Sequence, residues 1–235
     1  MWSIESTTLL GRIAVPPFVP PGFALFCTTR DFDGRLSGER TGLLTGVVRE
    51  RFGIDAALAT CTQVHGVTVQ RATHEGAWRE CDSCDALWSD QHRVALGIKI
   101  ADCLPVAILD PAHEVIANAH SGWRGAVAGV TAAALDASRV DPATSFAYLG
   151  PSIRVCCFEV GEEVASQFDE RYIDRTHAKP HVDLVRFTID ILRARGFGDE
   201  RISDSEMCTR CEGSIFHSYR RDKEARGRNL QIAAM

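Results

Sequence analysis

The chain has 235 residues, 45% apolar and 24% charged, a composition that suits a globular protein able to bury one substantial core. Its formal charge of −5 excludes the strong basic excess of proteins that wrap nucleic acid, and no apolar stretch approaches the length of a membrane span. The N-terminal segment lacks a basic start followed by an apolar run, and the nine cysteines are odd in number, so a cytoplasmic protein with reduced thiols is expected.

No repeat, low-complexity tract or flexible linker divides residues 1–235, so a single domain is expected, with Pro16–Gly22 as an ordered lead-in. Strand-like runs occupy Ala24–Thr28, Val67–Arg71 and Val94–Ile100. In the last of these Val94, Leu96, Ile98 and Ile100 alternate with small or polar residues, the period-two pattern of a strand with two different faces. Helices are predicted over about Gly125–Arg139, ending before Asp141-Pro142, then Glu162–Glu170, then Val182–Arg195. The third carries Leu184, Val185, Thr188, Ile191 and Leu192 on one stripe and stops at Gly196. Strict βαβ alternation is missing, so the expected class is α+β, a mixed sheet with helices on its outer faces.

The stretch from Ile100 to Gly125 contains a hairpin that turns at Asp110-Pro111-Ala112-His113. A two-residue turn at Pro111-Ala112 pairs Cys103 with His120 and Pro105 with Asn118. Leu104, Val106 and Ile108 then share a wholly apolar face with Val115, Ala117 and Ala119. Pro105 cannot donate to a ladder, and this register gives it and Cys103 non-hydrogen-bonded partners, whose Cα atoms lie about 4.5 Å apart. A thiolate and an imidazole would then be able to share one ion.

Thiolate and imidazole are ligands that zinc prefers, and three protein ligands with one open position mark catalytic zinc. His65, in Gln63-Val-His-Gly66, is the candidate third ligand. Copper suits the same donors, although one set of three ligands cannot make a multicopper oxidase. Without metal, Cys103 and His120 read as the nucleophile and base of a cysteine hydrolase. Cys81-Asp-Ser-Cys84 and Cys208-Thr-Arg-Cys211 offer a rival structural zinc site, whereas the adjacent Cys156 and Cys157 are not expected to share one ion. The H-x-E and P-C-x-x-C pair of base deaminases and the H-E-x-x-H of metalloproteases are both absent from the sequence.

Phe216–Arg228 places Arg220, Arg221, Lys223, Arg226 and Arg228 in a globally acidic chain, a candidate anion clamp that Arg30 and Arg124 would join. Asp85, Gln63 and Asp102 are candidate proton carriers. Asp102 is also suited to capping backbone groups.

Several motifs occur together and in order: Thr28-Thr-Arg30, Gln63-Val-His-Gly66, Asp85-Ala86, Ala101-Asp-Cys-Leu-Pro105, His120-Ser-Gly-Trp-Arg-Gly125, Leu149-Gly-Pro151, Phe158-Glu-Val-Gly161, Ser218-Tyr-Arg-Arg-Asp222 and Gly227-Arg228. Across nearly the whole chain they resemble the YfiH-like laccase-domain family. The resemblance implies a layered α/β/β/α sandwich and zinc held by His65, Cys103 and His120. It also implies a small-molecule substrate, a purine nucleoside with phosphate, and no nucleic acid or membrane partner. Phosphorolysis of adenosine, inosine and methylthioadenosine is implied, with adenosine deamination, by zinc acting on a water. Arg30, Gln63, Asp85, Arg124, Arg220 and Arg221 are the substrate-binding expectations. Copper-dependent phenol oxidation and editing of peptidoglycan precursors are alternative roles under the same resemblance. Two positions depart from the family pattern, Leu44 in place of an asparagine and His217 in place of an aromatic residue, and both bear on substrate recognition.

Overall fold

Alternation of inward and outward side chains sorts most strands into two sheets stacked face to face, with Ile173–Asp174 and His181–Val182 forming a separate two-stranded pair. In the computed structural model, which describes residues 1–223 and 227–235, one sheet has seven strands. Their order is Ser3–Thr7, Gly11–Val15, Ala24–Thr28, Asn229–Ala234, Val94–Ile100, Ala57–Cys61 and Trp78–Cys81. The other has six, ordered Ile202–Asp204, Phe146–Leu149, Leu104–Asp110, Val115–Ser121, Ala86–Ser89 and Val69–Arg71. Parallel pairs occur in both sheets among antiparallel ones, so each sheet is mixed.

Leu96, Ile98 and Ile100 pack between the sheets against Leu109, Ile116 and Tyr148. On the outer side of the seven-stranded sheet, helix Gly38–Phe52 sets Leu44, Val47 and Val48 on Ile13, Phe26 and Ile232. Helices Trp123–Ala128, Val130–Ser138 and Leu184–Ala194 cover the outer side of the other sheet, with Ala126, Val130, Ala134 and Leu192 against Val106, Ile108 and Ala117. The result is four layers, helix, sheet, sheet and helix, built around a shared core. Burying each large aliphatic side chain contributes about 2 kcal/mol.

The strands over Ala24–Thr28 and Val94–Ile100 lie where the alternation places them, while Val67–Arg71 shortens to Val69–Arg71. The predicted helix over Gly125–Arg139 is two helices, because Gly129 adopts φ 96° and breaks the hydrogen-bond run. Glu162–Glu170 holds only the short helix Glu162–Ala165, followed by a 3₁₀ turn at Glu170–Tyr172. Helix Leu184–Ala194 starts at Asp183, whose carboxylate accepts the N–H of Arg186. Helix Gly38–Phe52 escapes sequence reading because Gly38, Gly42 and Gly46 dilute its helix propensity. Leu44 is buried in that helix's packing face, in the outer core.

The expected hairpin register is corrected by two residues. Asp110 pairs with Val115 and Pro105 with His120, around a four-residue loop at 111–114. Pro111 favours a type I turn, and the buried Asp110 carboxylate accepts the N–H groups of Ala112 and His113, so the longer loop wins. A slip of two preserves the faces, which is why the apolar face survives. The N–H of His120 donates to the Asp85 carbonyl at 2.7 Å, so Pro105 opposite it leaves no donor unmet. Among the described residues no helix is long and apolar enough to cross a membrane.

Asp110 also accepts Asp141 N at 2.9 Å, Thr144 Oγ1 at 3.0 Å and His113 Nδ1 at 2.8 Å. Burial alone would raise its pKa, but these donors outweigh it and hold the carboxyl below its ordinary value. Its contribution is therefore present above the unfolded carboxylate pKa and lost as pH falls through the lower folded value. Asp110→Ala is expected to cost about 2 kcal/mol in urea unfolding at neutral pH, since it removes several hydrogen bonds to a buried carboxylate from partly exposed donors. A cost near zero would show that the loop does not depend on this carboxylate.

Candidate metal centre

The ligating atoms of His65, Cys103 and His120 lie within 4.8 Å of one another. His120 comes from strand Val115–Ser121, and Cys103 from the bend between strands Val94–Ile100 and Leu104–Asp110. Asp102, at φ 89°, turns the chain at that bend. Its carboxylate accepts Thr209 Oγ1 at 2.7 Å and Arg220 N at 2.6 Å, which anchors the strained residue and caps the helix Tyr219–Asp222. His65 sits on the loop after Ala57–Cys61 at φ 61°, with Nε2 3.9 Å from Cys103 Sγ.

Asp85 joins two of these ligands. Its fully buried carboxylate accepts the N–H groups of Val64, His65 and Gly66 at 3.2, 2.9 and 2.7 Å, and faces His120 Nδ1 at 2.8 Å. The backbone amides fix the left-handed turn at His65. The Nδ1 contact sets the tautomer that leaves Nε2 of His120 free toward Cys103. One residue past the observed hairpin register, Gly122 stands across from Cys103. A Cβ there would lie 3.0 Å from Cys103 Sγ and 3.0 Å from His65 Cδ2, so glycine keeps the space between the ligands open.

Burial pushes the Cys103 thiol up, but the neighbouring His120 and His65 outweigh it and bring it down to about 6. Burial likewise lowers His120, while the Cys103 thiolate and Asp85 hold it up to about 9. Both shifts run in the direction that favours a thiolate–imidazolium pair when no metal is bound. One thiolate and two imidazoles, one oriented by a carboxylate, fit a zinc ion with an open position.

The centre opens into a cleft of about 910 Å³ lined by Gln63, Glu80, Lys99, Tyr219, Arg35 and Arg228, among others. Gln63 lines it with its amide already bonded, donating to Lys99 O at 2.7 Å and accepting from Lys99 N at 2.9 Å. Arg220 lines a separate cavity of about 350 Å³, and its guanidinium donates to Glu159 O at 2.8 Å. Arg221 is spent internally, on the carbonyls of Thr209, Arg210 and Phe216 and on Asp222. Arg30 bonds the Gly213 carbonyl, and Arg124 lies over the Trp123 ring at 4.3 Å. Arg30, Asp85, Arg124 and Arg221 line neither cavity, and Arg226 lies outside the described residues. Lys99, Glu80, Arg35 and Tyr219 were missed as site residues. Lys99 had a signal, as the one charge inside an otherwise apolar strand.

The two C-x-x-C motifs, a rival zinc site in the sequence, do not meet. Cys81 and Cys84 are buried between the sheets near Cys61, whereas Cys208 and Cys211 meet Cys156 and Cys157. The adjacent cysteines converge because residues 155–157 form a turn rather than a strand.

Asp85→Asn keeps the shape of the buried group but loses its charge. It is expected to weaken metal binding about 10- to 100-fold, read by competition with a chromogenic chelator, and unchanged affinity would contradict its orienting role. In metal-free protein, iodoacetamide should alkylate Cys103 with a midpoint near pH 6, the thiolate forming as pH rises. A midpoint at the ordinary thiol value of about 8.5 would contradict the ion pair.

Residues 45–235 match the family described as multi-copper polyphenol oxidoreductase laccase. A Pseudomonas aeruginosa protein named purine nucleoside phosphorylase is 37% identical over 165 residues, 68% of this chain and 66% of that protein. A protein from an unknown prokaryotic organism, named adenosine deaminase, is 32% identical over 151 residues, 60% of this chain and 58% of that protein. The chain thus spans under two thirds of the length of each of these two relatives. A crystal structure of a Neisseria meningitidis protein described as DUF152 superposes with a TM-score of 0.81 at 28% identity, covering 95% of this chain and 98% of that one. With most of its length matched and its motifs in order, the chain belongs to the YfiH-like laccase-domain family.

Proposed function

We propose that this chain is a zinc-dependent purine nucleoside enzyme that phosphorolyses adenosine, inosine and methylthioadenosine and deaminates adenosine. The observation that carries this reading is the His65, Cys103 and His120 centre opening into a cleft large enough for a nucleoside and phosphate. The names of the Pseudomonas phosphorylase and the prokaryotic deaminase support the substrate class. Zinc bound there would supply Lewis-acid chemistry at the open position.

The chain's own residues set the rest. Tyr219, 61% exposed along the cleft, offers a ring face to a purine. Arg35, Lys99 and Arg228 bring positive charge to the same cleft and suit phosphate. Phosphorolysis breaks the bond from ribose C1′ to the purine and forms one to a phosphate oxygen, so a proton must reach the leaving base. Asp85 and Asp102 are committed to internal hydrogen bonds, as is the Gln63 amide. Glu80 lines the cleft as well but is ion-paired with Lys99 Nζ at 2.6 Å, so in our reading the dihydrogen form of the attacking phosphate supplies that proton. A cytoplasmic location, where thiols stay reduced, belongs to the same reading.

A second reading, a cysteine hydrolase, is favoured by the thiolate–imidazolium pair with Asp85 behind His120. Copper-dependent oxidation has the family description behind it. Among the described residues, however, the remaining grouping of potential metal ligands is made of four cysteines, with no histidine cluster for further copper ions. Incubation with adenosine should release adenine only when phosphate is present, and should separately yield inosine. Both products should vanish on chelation, return with zinc, and be absent in Cys103→Ala. Turnover of an ester or amide that survives chelation and is abolished by alkylation would favour the hydrolase instead.

A further inference from the structure

A second cluster of sulfur ligands lies away from the cleft. Cys156 and Cys157 sit in the turn at 155–157, and Cys208 and Cys211 in the turn after strand Ile202–Asp204. Their four sulfurs lie within 4.8 Å of one another. Cys156 Sγ is 3.8 Å from both Cys208 Sγ and Cys211 Sγ, and Cys157 Sγ is 3.3 Å from Cys211 Sγ. A tetrahedral ion with metal–sulfur bonds of about 2.3 Å sets its sulfurs about 3.8 Å apart. All four thiols are free.

We propose that Cys156, Cys157, Cys208 and Cys211 form a structural, four-thiolate zinc site, separate from the His65, Cys103 and His120 centre. The surroundings suit an anionic cluster. Arg210 bonds Cys157, and Arg154, in a bidentate pair with Asp204 at 2.6 and 2.5 Å, lies close enough to feel the charge of Cys208. Two arginines therefore flank a site that would carry two net negative charges with zinc bound.

The two turns are already stitched by backbone. Ser152 N donates to Met207 O at 3.3 Å and Thr209 N to Ser152 O at 3.0 Å, while the Glu212 carboxylate accepts Cys208 N at 3.0 Å. This arrangement holds the sulfurs before any ion arrives and lowers the ordering cost of binding. The site also braces the cleft. Thr209, next to Cys208, donates to Asp102, the strained neighbour of Cys103. Zinc binding releases the thiol protons and leaves the cysteines unoxidised, so no oxidant is needed.

Protein purified under reducing conditions is expected to carry two zinc ions per chain by elemental analysis. Cys103→Ala should retain one, and Cys156→Ser with Cys211→Ser should retain the other. Cobalt-loaded Cys103→Ala should show the strong charge-transfer absorption of a tetrahedral four-thiolate ion, a readout that needs no nucleoside turnover. Wild-type protein with one zinc that disappears in Cys103→Ala would overturn the proposal. A Cys157–Cys211 disulfide found by mass spectrometry in unreduced, metal-replete protein would overturn it as well.

Discussion

The carboxylate of Asp85 is the constraint on which the metal centre depends. A buried carboxylate is costly unless its lone pairs are met, and here three successive backbone amides and an imidazole meet them. Because the amides belong to residues 64–66 and the imidazole to His120, a single group fixes two ligands that are far apart in sequence. The Asp85 backbone adds a second tie, accepting the His120 N–H. Charge and position reinforce each other, since the anion favours a protonated His120 and, by engaging Nδ1, leaves Nε2 facing Cys103.

Much of this was legible in the sequence, and the reasons differ by residue. Cys103 and His120 could be brought together because a strand has period two. Any even register places both on the face away from Leu104, Val106 and Ile108. The same periodicity hid the error of two residues, which depends on how Asp110 and Pro111 shape the loop rather than on hydrophobic pattern. With the correct register, Gly122 becomes the notable partner of Cys103, as a residue whose missing side chain leaves room for ligands. His65 was reachable only through family motifs, since no local rule folds a loop onto a distant hairpin.

The substrate side was less legible. Arginines stood out in the sequence as an anion clamp, yet Arg221 and Arg30 hold carbonyls of the 209–216 segment. A guanidinium carries five donors, and here backbone carbonyls take them. Lys99 and Tyr219 reach the cleft because of where strand Val94–Ile100 and helix Tyr219–Asp222 end, which is tertiary information. The cysteines followed the same logic. C-x-x-C spacing identified Cys208 and Cys211 as a pair but could not name their partners, because a turn at 155–157 brings two adjacent sulfurs to one point.

These observations make the first centre a candidate metal site, assembled by Asp85 and kept open by Gly122 beside a cleft of about 910 Å³. The most direct measurement is a crystal of zinc-loaded protein examined by anomalous scattering on either side of the zinc edge. The account predicts a peak bonded to His65 Nε2, Cys103 Sγ and His120 Nε2, with Asp85 still on His120 Nδ1. Fully loaded protein with no peak there, and with Cys103 Sγ hydrogen-bonded directly to His120, would contradict it.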